Sequence, residues 1–316
     1  MSQVIGKTPD MLVLDAAAVE PQTQPSLLAD YIQMAKPRIT VMVVITTFVG
    51  YAMASRSNGL PVAESFADLM RLVAALAGTA LSCMSASVFN QCVERHTDRL
   101  MPRTANRPLP AGRIALTPAL VYGLTLGFCG LALLLSSTTA LAAALSAFTI
   151  ASYVLIYTPM KRISHASTIV GAVPGALPPV IGAAAATGAV GIEAILLFAI
   201  LFLWQLPHFL AIAWLYRDQY AAAGMPMLPV IHPDGASTFR QILLGCMTLL
   251  PLGLLPTMMG VSGTMYLAGA FVAGLAFLAS GVALVLGRTR FHARLAFFTS
   301  LIYLPVVFAL MLVDQV

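Results

Sequence analysis

Asn90, Glu94 and Asp98 recur at intervals of four in the run Asn90-Gln-Cys-Val-Glu94-Arg-His-Thr-Asp98. On an α-helix a step of four advances about 6 Å and turns only about 40° beyond one revolution, so the three oxygen-bearing groups form one stripe. Such a stripe suits a hard cation such as Mg2+, which takes carboxylates together with substrate phosphates. Arg99, Arg103 and Arg107 follow directly and carry forked donors for phosphate oxygens. The same carboxylates can instead pair with those arginines, and spacing alone leaves both possibilities open. A charge near the centre of a bilayer costs about 2.5–3.5 kcal/mol, a cost largely avoided at a helix end that faces other helices.

Two further polar clusters are candidates for the same chemistry. One is Tyr157-Thr-Pro-Met-Lys161-Arg162. The other begins at Trp204-Gln-Leu-Pro207-His208-Phe209 and continues to Arg217-Asp218-Gln219-Tyr220. No Ser/His/Asp or Cys/His set accompanies them, so nucleophilic catalysis is not indicated. Cys83, Cys92, Cys129 and Cys246 form no CxxC pair and lie in or beside apolar segments, where a thiol behaves as a small hydrophobe. His96, His165, His232 and His292 fall in or near polar loops.

The elements that carry these clusters are set by composition. Of 316 residues 59% are hydrophobic and 9% charged, with a mean hydropathy of +0.89. A soluble domain carries about 25% charged residues, so this chain lacks the charge to cover a water-facing surface. Its apolar residues fall in blocks of roughly 20, the length of a bilayer-spanning helix, without the alternation of a β-barrel. Nine spans are expected, at about 36–55, 69–90, 115–136, 138–158, 167–187, 192–215, 240–260, 263–287 and 294–314. The fold class is thus an all-α polytopic membrane protein, in one domain over residues 36–316. Residues 1–35 hold one lysine and the acids Asp10, Asp15, Glu20 and Asp30. That stretch is neither signal peptide nor presequence and reads as a flexible cytoplasmic tail.

Basic residues are shared unevenly between the two faces. With nine spans, every lysine and arginine except Arg56 and Arg71 falls in the tail or in the loops after spans 2, 4, 6 and 8. The positive-inside rule then puts the N-terminus and those loops in the cytoplasm, and the C-terminus opposite. A bacterial plasma (inner) membrane is the expected location, with the lipid bilayer as a partner. The net charge of +5 does not point to nucleic acid, because the basic residues are scattered over short loops. The loops at 91–114 and 216–239 are the long ones, and each runs from acids to a proline-rich stretch, Pro108-Leu-Pro110 and Pro226-Met-Leu-Pro229. That likeness suits two helical halves facing a shared cavity.

These motifs together resemble the UbiA superfamily of intramembrane prenyltransferases. Asn90-xxx-Glu94-xxx-Asp98 is similar to its first acid-rich motif, Arg217-Asp218-Gln219-Tyr220 to its second, and Tyr157-xxx-Lys161 to its diphosphate-holding pair. Arg103-Thr-Ala-Asn-Arg107-Pro-Leu-Pro110, Trp204-Gln-Leu-Pro-His208-Phe209 and Ala223-Gly-Met-Pro-Met-Leu-Pro229 resemble the branch that farnesylates protohaem IX. The likeness runs from Ala35-Lys36-Pro37-Arg38 to the C-terminus. Two positions depart from the usual pattern: Glu94 and Gln219 stand where the family commonly has Asp.

The resemblance implies nine helices around a central cavity. It implies transfer of a farnesyl group from farnesyl diphosphate to a vinyl group of haem B, with addition of water, to give haem O and diphosphate. Mg2+ is the implied cofactor, held by Asn90, Glu94, Asp98 and Asp218, the implied catalytic residues. Arg103, Arg107, Tyr157, Lys161, Arg162, Arg217 and Tyr220 would hold diphosphate. His208 is the candidate iron ligand and Trp204 its neighbour against haem; the competing reading makes His208 a polar residue at the Pro207 kink. The arginines at 288, 290 and 294 are positive-inside charge or contacts for haem propionates. Haem A synthase and terminal-oxidase assembly factors are the implied protein partners. Three rival readings are a prenyltransferase with another aromatic or tetrapyrrole acceptor, a secondary transporter, and a non-catalytic haem-binding assembly protein.

Overall fold

A computed structural model describes residues 25–316. Among the described residues nine helices have the length and apolarity to cross a membrane: Pro37–Ser57, Phe66–Asp98, Leu116–Ser137, Ala140–Met160, Ser167–Thr187, Ile192–Leu215, Ala236–Met258, Thr264–Gly287 and Arg290–Val313. They match the nine expected spans to within a few residues at most ends. A helix satisfies most of its backbone groups within itself, the condition lipid imposes.

The helices are α2 (Pro37–Ser57), α3 (Phe66–Asp98), α4 (Leu116–Ser137), α5 (Ala140–Ala151) and the short α6 (Thr158–Met160). Then come α7 (Ser167–Ala176), α8 (Pro178–Thr187), α9 (Ile192–Leu215), the short α10 (Arg217–Ala222) and α11 (Leu228–Ile231), α12 (Ala236–Met258), α13 (Thr264–Gly287) and α14 (Arg290–Val313). α1 (Leu27–Met34) precedes them all.

Three local features position the chemistry. First, α3 runs 33 residues, from a capping box at Ser65 and Asp68 to Asp98. At 1.5 Å per residue it is about 50 Å long, well beyond a hydrocarbon core of about 30 Å. Residues 91–98, counted above with the loop after the second span, thus continue the helix, as the stripe spacing requires. Second, the fifth span is broken at Leu177, where Pro178 begins α8. α8 lies flush on α2: a Cβ at Gly50 would strike the Pro179 backbone, and one at Gly182 the backbone of Thr47 and Tyr51. Close approach through small residues is how helices pack in lipid, where no hydrophobic drive holds them together.

Third, the chain ahead of the first span is ordered from Leu27. The expected tail to residue 35 is corrected here: Ser26 caps α1, Asp30 is buried at 2% exposure, and Met34 is fully buried. Arg113 clasps both Asp30 carboxylate oxygens, through Nε at 3.0 Å and Nη2 at 2.8 Å. Gln91 Nε2 donates to the Met34 carbonyl at 2.9 Å and docks α1 on α3. The remainder of the expected tail, residues 1–24, lies outside the described residues. Breaking one side of a buried ion pair costs about 3 kcal/mol, because the other charge is left uncompensated. Asp30→Ala is therefore expected to lower the midpoint of thermal unfolding in detergent and expose α1 to protease. An unchanged midpoint and an unchanged cleavage pattern would show that the clasp contributes nothing.

Candidate active site

The ends of α3, α5–α6 and α9 meet at the face that carries the basic loops, and enclose a cavity of about 300 Å³. Asn90, Glu94 and Asp98 all line it, each at least 96% buried. Each meets a cation from a different part of the chain. Lys36 Nζ donates to Asn90 Oδ1 at 2.9 Å, Lys161 Nζ to Glu94 Oε1 at 2.8 Å, and Arg107 Nη1 to Asp98 Oδ2 at 2.7 Å. Of the arginines nearest the stripe, Arg95 bonds the Cys92 carbonyl and Arg99 the Pro110 carbonyl.

Local backbone geometry explains how these groups converge. Lys36 adopts a left-handed conformation, φ 50°, at the joint between α1 and α2. The following Pro37 disfavours right-handed helix at Lys36, and is itself suited to the first helical position. Between α5 and α6 the backbone takes a π-helical turn over Ser152–Tyr157. Such turns recur at functional sites. Here the turn brings the Tyr153 and Tyr157 rings to 5.0 Å, with Lys161 Nζ 4.6 Å from the Tyr157 ring centre. The Tyr153 carbonyl accepts from Thr158 Oγ1 at 2.8 Å, and Thr158 in turn accepts from Asn90 Nδ2 at 3.3 Å. Asn90 is thus held from both sides, with its oxygen toward the cavity cation.

The cavity is lined by four cationic side chains, Lys36, Arg103, Arg107 and Lys161, against two carboxylates, Glu94 and Asp98. Burial, reinforced by the like charges of Arg107 and Lys161, lowers the Lys36 ammonium to about 8, against the pull of Glu94 and Asp98. Burial acts the same way on Lys161, but Tyr157 and Glu94 outweigh it and hold that ammonium well above its ordinary range. The surplus of positive charge suits a polyanion. Among the described residues no group of three or more His, Cys, Asp or Glu gathers as a metal cage. Two carboxylates and one carboxamide oxygen on one helix therefore need ligand oxygens to complete a coordination shell. That fits Mg2+, which is commonly held by one or two carboxylates plus substrate phosphates.

Of the residues expected to hold diphosphate, Arg103, Arg107, Tyr157, Lys161 and Tyr220 line the cavity. Tyr153 and Lys36 line it too and were not anticipated. Tyr153 sits one turn before Tyr157, a spacing that could have signalled it. Three expected residues are not brought there. Asp218, second residue of the short α10, has a side chain 68% exposed and pairs with Arg290 at 3.2 Å and Arg217 at 3.7 Å. It faces a second, smaller cavity. Arg217 lies over the Trp214 ring, 4.5 Å from its centre, and Arg162 is exposed.

His208 and Trp204 also point elsewhere. His208 Nδ1 is 2.7 Å from Ser300 Oγ, and its ring stacks on Trp204 and Phe297. Trp204 Nε1 donates to the Ser300 carbonyl at 2.7 Å. Both therefore anchor α9 on α14, and the adjacent Phe209 is the one that faces the cavity. One residue turns about 100° on a helix, and Pro207 does not undo that turn.

Residues 43–302 match the UbiA prenyltransferase family. The chain belongs to that family. It is accordingly a prenyl-transferring membrane enzyme, which displaces the transporter reading. It is 47% identical over 290 residues to the protoheme IX farnesyltransferase of Solibacter usitatus, covering 91% of this chain and 99% of that one. A solved digeranylgeranylglyceryl phosphate synthase superposes with a TM-score of 0.75 at 18% identity, over 91% of this chain and 98% of that one. A UbiA homologue from Archaeoglobus fulgidus bound to DMAPP and Mg2+ superposes with a TM-score of 0.58 at 14% identity, over 89% and 99% of the two chains. The two structures share the UbiA fold with this chain.

The packing of His208 generates a prediction. His208→Ala is expected to lower thermal stability, since it empties a stacked, buried position and leaves Ser300 Oγ without its ring partner. The Soret band and affinity of added haem should stay as in the parent protein. A shifted band with unchanged stability would return His208 to the role of iron ligand.

Proposed function

We propose that this chain transfers a farnesyl group from farnesyl diphosphate to a vinyl group of haem B, with addition of water, giving haem O and diphosphate. The observation that carries this reading is the buried Asn90–Glu94–Asp98 stripe facing four cations in one cavity, in a chain 47% identical to a protoheme IX farnesyltransferase.

Asn90, Glu94 and Asp98 would hold Mg2+. That ion, when bound, supplies Lewis-acid neutralisation of the diphosphate. The residues of the chain do the rest. Lys36, Lys161 and Arg107 exchange their bonds to the stripe for bonds to phosphate oxygens, and Arg103 adds a fork. These donors are in place before the C–O bond breaks, so the growing negative charge meets a prepared field. The Tyr153 and Tyr157 rings offer π-faces to the allylic cation. Phe209, Ile212, Met225 and Met227 line the cavity and keep water from the cation until the vinyl carbon has attacked it. Water then adds to the resulting benzylic-type cation, and the released diphosphate accepts the proton. No strong general base is needed.

In the same reading, residues 27–316, α1 included, act as one domain in the bacterial plasma membrane. The N-terminus and the basic face lie in the cytoplasm, and haem O passes to haem A synthase or to terminal-oxidase assembly factors. The unequal charge of the two faces supports this orientation.

Asp98→Asn keeps the shape of the side chain and removes the carboxylate nearest the loop. Turnover should fall at least about a hundredfold, as when one preorganised electrostatic group is lost from an active site. Release of diphosphate from farnesyl diphosphate is expected to require both Mg2+ and haem B. Release that ignores haem B would overturn the acceptor, and full activity of Asp98→Asn at limiting Mg2+ would overturn the metal assignment. A reporter fused after Val316 is expected to read out on the side opposite the cytoplasm, and a cytoplasmic signal would refute the orientation.

A further inference from the structure

α1 stands apart from the nine spans, yet one of its sides is suited to lipid. It meets the rest of the chain along a single side. There Tyr31 and Met34 pack with Val88, Leu109 and Ile114, and Asp30 is clasped by Arg113. Leu28 and Ile32, one turn apart, point away from that side and are 70% and 50% exposed. Between them and the first turns of α4 runs an open trough of about 690 Å³, whose walls include Leu28, Tyr31, Ile32, Pro118, Val121 and Tyr122.

The α4 wall identifies the occupant. Val121, Leu124 and Phe128 are exposed along one side of α4, a membrane-crossing helix, so that stripe meets acyl chains. The trough carries the same apolar surface past the start of α4 and onto α1. Tyr31 and Tyr122 meet edge to face in it, with ring centres 4.9 Å apart. Tyrosines collect at the level of the headgroups, where one end of the ring is apolar and the other wet. Ala29 and Gln33 form a third side of α1, and Gln33 Oε1 lies 3.5 Å from Arg113 Nη2, toward the polar loop after α3. A helix with a docked, an apolar and a polar side fits the boundary between headgroups and acyl chains.

Only Ala35 separates α1 from Lys36. The Met34 carbonyl is held by Gln91, and the Ala35 carbonyl accepts from Thr40 Oγ1 at 3.1 Å, so the link has little slack. A tilt of α1 is therefore passed to Lys36 and to its bond with Asn90. We infer that α1 lies in the leaflet at the basic face, that an acyl chain of that leaflet fills the trough, and that this contact sets the position of Lys36 in the donor cavity. The clasp and Gln91 hold α1 from its docked side, and lipid supports the opposite one. The coupling to Lys36 rests on the proposed part of that residue in holding diphosphate.

The test uses the full-length protein in nanodiscs, and its first half is independent of the reaction. Leu28→Trp and Ala29→Trp are compared in lipid with brominated acyl chains, after subtracting the parent emission of Trp204 and Trp214. Bromine quenches an indole it touches. Emission from Leu28→Trp should fall at least about twofold, and emission from Ala29→Trp much less, as for two sides of an interfacial helix. Equally weak quenching of both would overturn the leaflet contact and would assign the cover of this side to residues 1–24 or to a second copy of the chain.

The second half is kinetic. Leu28→Glu/Ile32→Glu puts two charges in the trough and alters no packed side chain. Its KM for farnesyl diphosphate should rise at least about fivefold, well within what burial of two apolar side chains contributes. The KM for haem B and the unfolding midpoint should stay at the parent values, and Leu28→Met/Ile32→Leu should keep all three. A parent-like KM for farnesyl diphosphate in the glutamate variant would overturn the coupling to Lys36. If the parent protein releases no diphosphate in the presence of haem B, the underlying reading of the reaction fails instead, and the quenching still decides the leaflet contact.

Discussion

The structure turns on the pairing of three buried oxygen groups with three half-buried cations. Asn90, Glu94 and Asp98 come from one helix, but their partners Lys36, Lys161 and Arg107 come from the α1–α2 joint, the end of α6 and the loop after α3. Carboxylates buried as deeply as Glu94 and Asp98 persist only if paired. Each pair therefore fixes a separate segment to the end of α3, and three segments that are far apart in sequence close around one cavity. Under the proposed function, the groups that assemble the cavity are the same ones that would let go when a diphosphate and its cation arrive. Part of the interaction with ligand is consequently spent on replacing the pairs that held the empty site together. An enzyme built this way keeps its ligands' binding groups satisfied at rest and does not leave naked charge inside a membrane.

That arrangement demands rigid surroundings, and the packing supplies them. α2 carries Lys36 at its start and is pressed backbone to backbone against α8 at Gly50 and Gly182. α1 is pinned to the loop after α3 by Asp30 and Arg113, so Lys36 is fixed from the N-terminal side as well. On the other side Trp204 and His208 lock α9 to α14 through Ser300. The aromatic–histidine stack, attractive as a haem site when read from composition, thus holds the wall of the cavity and keeps Phe209 turned inward.

How much was legible follows from how far helix phase carries. The nine spans were readable because a bilayer requires long apolar helices and permits little else. The Asn90–Glu94–Asp98 stripe was readable because all three residues lie on one uninterrupted helix, where spacing fixes direction. Asp218 was misplaced because α9 ends at Leu215 and α10 starts afresh at Arg217. Once a helix breaks, spacing no longer says which way a side chain points. Lys36 was hidden for a different reason. A lysine just before a membrane span counts as interfacial charge, and only a left-handed backbone at that residue turns it inward. The carboxylates' choice between ligand and ion pair was left open by spacing. The structure pairs both of them with cations, and their position in the cavity leaves them available to a ligand.

Two cavities lie side by side at the basic face. The donor cavity is lined by the buried oxygen groups of the stripe and their cations, whereas the neighbouring one is bordered by the exposed Asp218, Arg290 and Arg294. A diphosphate exchanges many buried hydrogen bonds as it settles, so its binding is slow to reverse. The contact of Arg103 with Tyr216 lies between the two cavities, and it couples them physically: a phosphate oxygen that draws Arg103 inward takes it off the ring that borders the second cavity. Occupancy of the donor cavity would then be felt at the neighbouring cavity through this one contact.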